Sequence, residues 1–281
     1  MRFVFLGTGT SAGVPSIGCD CRVCTSTDPR DTRLRTSAAI VYRDPGARHE
    51  GGERVVLIDA GPDLRLQALR AGLRRCDAIF FTHNHVDHTF GLDEIRRFNA
   101  VQRSPVHLFA EQHTLDFLHR VYQHIFDPSK NINDSFVATV IAQRLNPDLS
   151  PVDLHGLRWT PIRLLHGRLP VAGFRIEAAP GSGVDAPWLP LAYCTDMSAL
   201  PPESWPRLEG LSTLVIDALR HRKHPTHLTI DQALSIIDRV SPRSAYLIHM
   251  AHEVSHEETQ AQLPPGVFLA YDGLTLEAGT A

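Results

Sequence analysis

Thr82-His83-Asn84-His85-Val86-Asp87-His88 follows directly on the apolar run Asp77 to Phe81. Side chains two apart in an extended segment point the same way, so His83 and His85 can grip one ion while Asp87 and His88, beyond the turn, face a second. Imidazole and carboxylate are donors that gather around divalent cations, and four of them between His83 and His88 make a specific pattern. Four ligands cannot complete two sites, so the remainder must come from other strand ends. His166 closes the run Ile162 to Leu165 and precedes Gly167, Asp196 follows Ala192-Tyr193-Cys194-Thr195, and His249 closes Ala245 to Ile248. All three are polar donors at the end of an apolar strand, where the loops of a sandwich converge.

The runs that carry these residues belong to a longer series. Arg2 to Leu6, Ser37 to Tyr42, Arg54 to Ile58, Asp77 to Phe81, Val106 to Phe109, Leu157 to Leu164, Phe174 to Ala179, Leu191 to Cys194, Thr213 to Ile216, Ala245 to Ile248 and Phe268 to Tyr271 all read as strands. Helical periodicity marks Asp63 to Ala71, Leu92 to Asn99, Thr114 to Ile125 and Ile230 to Val240. Two sheets packed face to face with helices outside satisfy this order, because each sheet then has one face covered by its partner and one by helices. The expectation is a four-layer αββα sandwich forming a single domain over 1–281. Asp44 to Glu53 reads as an exposed hairpin connection. The segment 127–151 carries Phe136, Val137, Val140, Ile141 and Leu145 at roughly helical spacing and predicts an inserted helix, packed over the body or against a second copy.

Bulk properties narrow the partners. The 281 residues are 43% hydrophobic and carry 28 basic and 31 acidic side chains for a formal charge of -3, too even a balance to hold a long nucleic acid or an anionic membrane. A small anionic substrate needs only a local patch. The amino terminus lacks the basic and long apolar segments of a signal peptide, and no apolar run reaches membrane-span length, so a cytoplasmic protein is expected. Five cysteines is an odd number, and a reducing compartment keeps them as thiols.

Three of those thiols lie in Gly18-Cys19-Asp20-Cys21-Arg22-Val23-Cys24, a zinc-binding spacing short of its fourth ligand. His252 is the choice for that ligand, because it lies three residues after His249 and one loop can then serve both centres. The stretch Asp217 to Thr229 gathers His221, His224 and His227 with Arg220, Arg222 and Lys223, a loop able to bind phosphate and donate a proton. Gly7 to Gly13 has the glycines of a dinucleotide loop but no helix opens after it, so it reads as a tight turn delivering Cys19 to its zinc.

Thr82 to His88 resembles the signature of the metallo-β-lactamase superfamily, and His166, Asp196 and His249 match its third histidine, bridging aspartate and terminal histidine. Asp59-Ala60-Gly61 fits the family's short aspartate turn. Together with the Cys loop and the His beyond the last catalytic His, the stretches Pro161 to His166 and Thr195 to Pro201 resemble the cyclic phosphodiesterase branch, that of the phosphoribosyl 1,2-cyclic phosphate phosphodiesterases. The resemblance implies a two-metal hydrolase with Zn or Mn at His83, His85, Asp87, His88, His166, Asp196 and His249, one structural Zn, and the homodimer common in the superfamily. It also implies His227 as general acid, with Asp87 both metal ligand and orienter of the nucleophile. A small cyclic phosphate or nucleotide phosphodiester is the expected substrate, with His221, His224 and His227 contacting it. The competing readings are a thioester or lactone hydrolase on the same fold and a non-catalytic carrier of the pyrroloquinoline quinone maturation type.

Overall fold

A computed structural model describes residues 1–47, 51–131, 135–146 and 148–277. Strands β1 (Arg2–Gly7), β2 (Ser37–Arg43), β3 (Glu53–Ile58), β4 (Ala78–Phe80), β5 (Val106–Ala110) and β6 (Val140–Arg144) lie in one sheet. Strands β7 (Val152–Leu154), β8 (Leu157–His166), β9 (Leu169–Ala178), β10 (Leu191–Cys194), β11 (Thr213–Asp217), β12 (Ser244–Ile248) and β13 (Val267–Leu269) form a second, in the order β13-β12-β11-β10-β9-β8-β7. The final strand β14 (Thr275–Glu277) returns to the first sheet, whose order is β14-β1-β2-β3-β4-β5-β6.

Alternation along the strands builds the layers. Phe3 and Phe5 point inward to meet Ile40, Phe80, Trp159, Phe174 and Tyr193 between the sheets, while Val4 and Leu6 point outward. The indole of Trp159 stacks on Phe80 at 4.0 Å between ring centroids, and Phe80 stacks in turn on Phe109 at 4.5 Å. Helices α1 (Leu64–Arg70), α2 (Val86–Thr89), α3 (Arg96–Gln102), α4 (Gln112–Val121) and α5 (Gln123–Phe126) follow the strands of the first sheet. Leu64 and Ala68 of α1, Phe98 of α3 and Leu115 and Leu118 of α4 bury that sheet's outer face. In α6 (Ile230–Val240), Ile230, Ala233 and Ile237 recur at helical spacing and cover the second sheet, whereas α7 (His256–Gln260) packs beside β13. This is the αββα sandwich expected from the sequence.

The expected helix in 127–151 is corrected: Val140–Arg144 is a strand, β6, paired in parallel with β5 from Val106↔Val140 to Ala110↔Arg144. Three-residue β7 begins at Val152 just beyond it. Part of that segment, 132–134 and 147, lies outside the described residues, as does 48–50 of the expected hairpin connection. That connection does join paired strands, since Asp44 N–H donates to Gly52 O at 2.9 Å and β2 runs antiparallel to β3. The expected helix Thr114 to Ile125 breaks at Tyr122, where ψ reaches 45°.

Strands β3 to β6 run parallel, as do β10 to β13, so the C-terminal ends of each set point one way. Loops leaving those ends carry Asp59, His83 to His88, Asp196, His221 to His227 and His249, whereas His166 ends β8 and the Cys19 to Cys24 loop follows β1. Among the described residues no helix is long and apolar enough to cross a membrane.

Candidate metal centre

Asp59 follows β3 and adopts φ 62°, a left-handed backbone that turns its carboxylate back under the next loop. Fully buried, it accepts hydrogen bonds from Thr82 N–H and Thr82 Oγ1, each at 2.8 Å, and lies 2.7 Å from His88 Nδ1. Gly61 lets the metal-motif loop close down, because a Cβ there would sit 2.0 Å from Asp87 O. The same contacts set the imidazole tautomers. Thr82 Oγ1 spends its proton on Asp59 and therefore accepts from His83 Nδ1 at 2.9 Å. His166 Nδ1 faces Thr226 O at 2.7 Å, which can only accept. With the ring neutral, each of these histidines thus keeps its lone pair on Nε2, the arrangement that outer contacts impose on metal-ligating histidines.

The Nε2 atoms converge. His88 Nε2 lies 3.1 Å from Asp196 Oδ2 and 3.3 Å from Asp87 Oδ2, and His249 Nε2 lies 3.3 Å from Asp196 Oδ1 and 3.9 Å from Asp87 Oδ2. Asp87, His88, Asp196 and His249 form one group able to hold a cation. On the other side of Asp196, His83 Nε2 approaches Oδ1 at 4.0 Å, and the rings of His83, His85 and His166 stand 4.5 Å and 5.1 Å apart in succession. Nε2 of His83, His88 and His249 are all buried without a hydrogen-bond partner among the described residues, although carboxylate oxygens are near. Donors clustered at short range without hydrogen-bond geometry fit shared cations better than they fit one another.

Charge supports the same fit. Burial pulls the His88 imidazolium down, but Asp196, Asp87 and Asp59 outweigh it and raise its pKa well above the ordinary value. His249 is raised in the same way against its burial, chiefly by Asp196. Burial lowers His83, His85 and His166. Asp196 stays well below the carboxylate range despite complete burial, held there by His249 and His88. An anionic pocket of this kind stabilises positive charge, whether a proton or a metal ion.

His227 packs against both halves of the cluster. Its ring lies 4.5 Å from His166 and 4.6 Å from His249, and its Nδ1 is 3.3 Å from Oδ1 of the buried Asp217. Asp217, the last residue of β11, also accepts the Leu228 amide through Oδ2 at 2.9 Å. The capping box of α6 starts at the next residue: Thr229 Oγ1 accepts from Gln232 N–H, and Gln232 Oε1 from Thr229 N–H. His227 is therefore fixed on both sides. Asp217 was not among the candidate residues; its signal in the sequence is a carboxylate ending a fully buried strand.

The remaining loop residues divide. The His224 ring lies 5.2 Å from His227, whereas His221 is exposed and joins none of the cluster's ring contacts. Arg220 and Arg222 both reach Glu253, at 3.0 Å and 2.8 Å, so their charge is partly spent within the protein. Lys223 is exposed.

A second cluster lies nearby in sequence. Sγ of Cys19, Cys21 and Cys24 stand 3.2, 3.4 and 3.7 Å from His252 Nδ1. Ligands at usual Zn–S and Zn–N lengths around a tetrahedral ion are about 3.5 Å apart, so all three separations fit zinc. The Cys24 amide and His252 bring the Cys21 thiol down to about 6. The loop from His249 to His252 is clamped from below by Arg33, fully buried and paired with Asp31 at 3.1 Å, which donates to Val254 O at 2.8 Å and Ala251 O at 3.3 Å.

Residues 54–250 match the family model described as the beta-lactamase superfamily domain. The chain belongs to the β-lactamase superfamily. Within that superfamily it is similar, at 38% identity and a TM-score of 0.83, to a solved structure of a diphosphatase from the PhnP family, over 98% of this chain and 97% of that one. It is 37% identical over 276 residues to a protein of Porphyromonas gingivalis named octanoyltransferase, of which it spans about half, 51%. It is also 28% identical to coenzyme PQQ synthesis protein B of Methylobacterium nodulans, over 77% of this chain and 72% of that protein. The superfamily fold is one of divalent-metal hydrolases, and this chain carries a His and Asp group and a Cys and His group that could each hold an ion.

Proposed function

We propose that the chain is a phosphodiesterase that cleaves a small phosphodiester, a cyclic phosphate or a nucleotide ester, at the cluster joined by Asp196. The observation that carries this reading is His227, buried beside His166 and His249 and backed by Asp217 at 3.3 Å. When bound, a pair of divalent ions supplies an activated water and neutralises phosphoryl oxygens. His83, His85, His166 and Asp196 would hold one ion, and Asp87, His88, His249 and Asp196 the other.

The chain's own residues do the rest. Asp59 and Thr82 orient His88 and His83, and Asp87 orients the nucleophile. His227 donates a proton from Nε2 to the leaving alkoxide while Asp217 holds its Nδ1–H. His224, its ring 5.2 Å from that of His227, stands beside this point and can receive a non-bridging phosphoryl oxygen. A thiolate leaving from a thioester has little need of a proton donor, and a carrier has no need of a buried acid.

The test is hydrolysis of bis(p-nitrophenyl) phosphate and of a 2′,3′-cyclic nucleotide by the chain loaded with Zn or Mn, beside a His85→Ala control and elemental analysis. Turnover lost in the control and close to three ions per chain supports the reading. Absence of turnover in the fully loaded protein counts against it.

A second reading, cleavage of a P–O–P diphosphate, is favoured by the 38% identity over nearly full length to a diphosphatase. A phosphate leaving group needs less protonation than an alkoxide. A dinucleoside diphosphate cleaved with little dependence on His227 would favour this second reading.

A further inference from the structure

Strands β11 and β12 have two ends. Asp217 closes β11 and His249 follows β12 at the metal cluster, whereas Thr213 and Ser244 open the same strands about 13 Å away and line a separate cavity. This cavity, about 780 Å³, opens between β13 and β14, the edge strands of the two sheets. Its size lies in the range of small-molecule sites.

Its walls are aromatic. Tyr246 and Phe268 stack at 5.4 Å and 27°, and Trp188 and Tyr271 line the same space. Phe268 is 41% exposed on an edge strand whose neighbours Val267 and Leu269 are buried, so its ring faces the opening rather than the core. Two guanidinium groups, Arg30 and Arg243, share the lining with one carboxylate, Glu277. Arg30 is paired with Asp28 at 2.7 Å. Arg243 is exposed and makes no ion pair among the described residues. Trp188 Nε1 and His256 Nδ1, on lining residues 5% and 3% exposed, have no hydrogen-bond partner among the described residues. Unpartnered polar atoms in a folded interior are uncommon and mark where a bound molecule or water belongs.

We propose that this cavity binds a planar aromatic molecule carrying an anionic group, at a site separate from the metal cluster. The ring lies against Tyr246 and Phe268, and the anion meets the Arg243 guanidinium. A purely apolar ligand would leave that guanidinium unused, and a cation would face it.

The experiment is fluorescence titration of the full metal-loaded chain with 8-anilinonaphthalene-1-sulfonate and with its uncharged analogue N-phenyl-1-naphthylamine. Arg243→Gln and Phe268→Ser alter exposed positions remote from the metal cluster, and both should leave turnover of bis(p-nitrophenyl) phosphate unchanged. Arg243→Gln should weaken the sulfonate about tenfold and leave the neutral amine within about twofold. Phe268→Ser should weaken both probes. Titrations identical in wild type and both variants overturn the proposal, as does a sulfonate signal displaced by inorganic phosphate at the metal centre. Because the readout is binding at the far pole, its failure leaves the phosphodiesterase reading untouched, and the reverse also holds.

Discussion

Asp217 backs His227 from inside the protein: its Oδ1 lies 3.3 Å from the ring's Nδ1, while its Oδ2 takes the amide of the residue that follows. The same Oδ1 is 3.5 Å from His249 Nδ1. That second approach lacks hydrogen-bond geometry, so the carboxylate orients the proposed acid and lends only its charge to His249. Asp217→Asn should lower turnover of a slow alkyl ester about 10- to 100-fold with smaller change for a nitrophenyl ester. Equal loss on both substrates would leave Asp217 a purely structural residue.

His227→Ala removes the proton donor itself. Turnover of an alkyl phosphodiester should fall about 10²- to 10⁴-fold, and that of bis(p-nitrophenyl) phosphate, whose leaving group needs no proton, by far less. Steady-state kinetics across leaving groups of graded pKa check this, with a steeper dependence expected in the variant.

Cys21→Ser takes one thiolate from the Cys19, Cys21, Cys24 and His252 cluster. The purified variant should carry about one zinc fewer per chain and melt more than about 5 °C lower. Because the His249 to His252 loop touches both clusters, turnover should fall too, although no residue of the proposed reaction has been changed. Unchanged zinc content by elemental analysis sinks the assignment.

His256 gives a pH prediction away from both clusters. Burial, with Arg30 and Arg33 nearby, lowers its imidazole to about 4, below the ordinary 6.5. The folded chain favours the neutral ring, so the stability linked to His256 is present above 6.5 and is lost as pH falls toward 4. Urea midpoints measured between pH 7 and 4 should decline less steeply for His256→Gln than for wild type. Parallel curves would assign the acid sensitivity elsewhere.

What could be read from the sequence follows the range of each signal. The strand before Thr82 and the metal-motif donors are local, and alternation such as Phe3 and Phe5 against Val4 and Leu6 shows which face each strand buries. The β6 strand was not legible, because Val140 and Ile141 also fit helical spacing and their extended state comes from pairing with Val106 to Ala110, supplied by another part of the chain. Tyr122 interrupts an otherwise continuous helical pattern through its backbone angles alone. The roles of Asp217 and His221 depend on the parallel register of β11 with β12 and on which way the following loop turns. Three histidines in that loop look alike in sequence; only His227, two residues before the α6 capping box, is buried, while His224 stays partly exposed and His221 exposed.

Asp59, Asp196 and His249 all hold positive φ, at 62°, 52° and 60°. Such a backbone costs side chains of this kind about 1 kcal/mol or more each, and glycine would adopt it freely. At Asp59 that freedom is outweighed, because glycine would strip the acceptor from both Thr82 donors and from His88 and leave them buried without partners. The bent backbone is thus held in place by the contacts that its side chain makes.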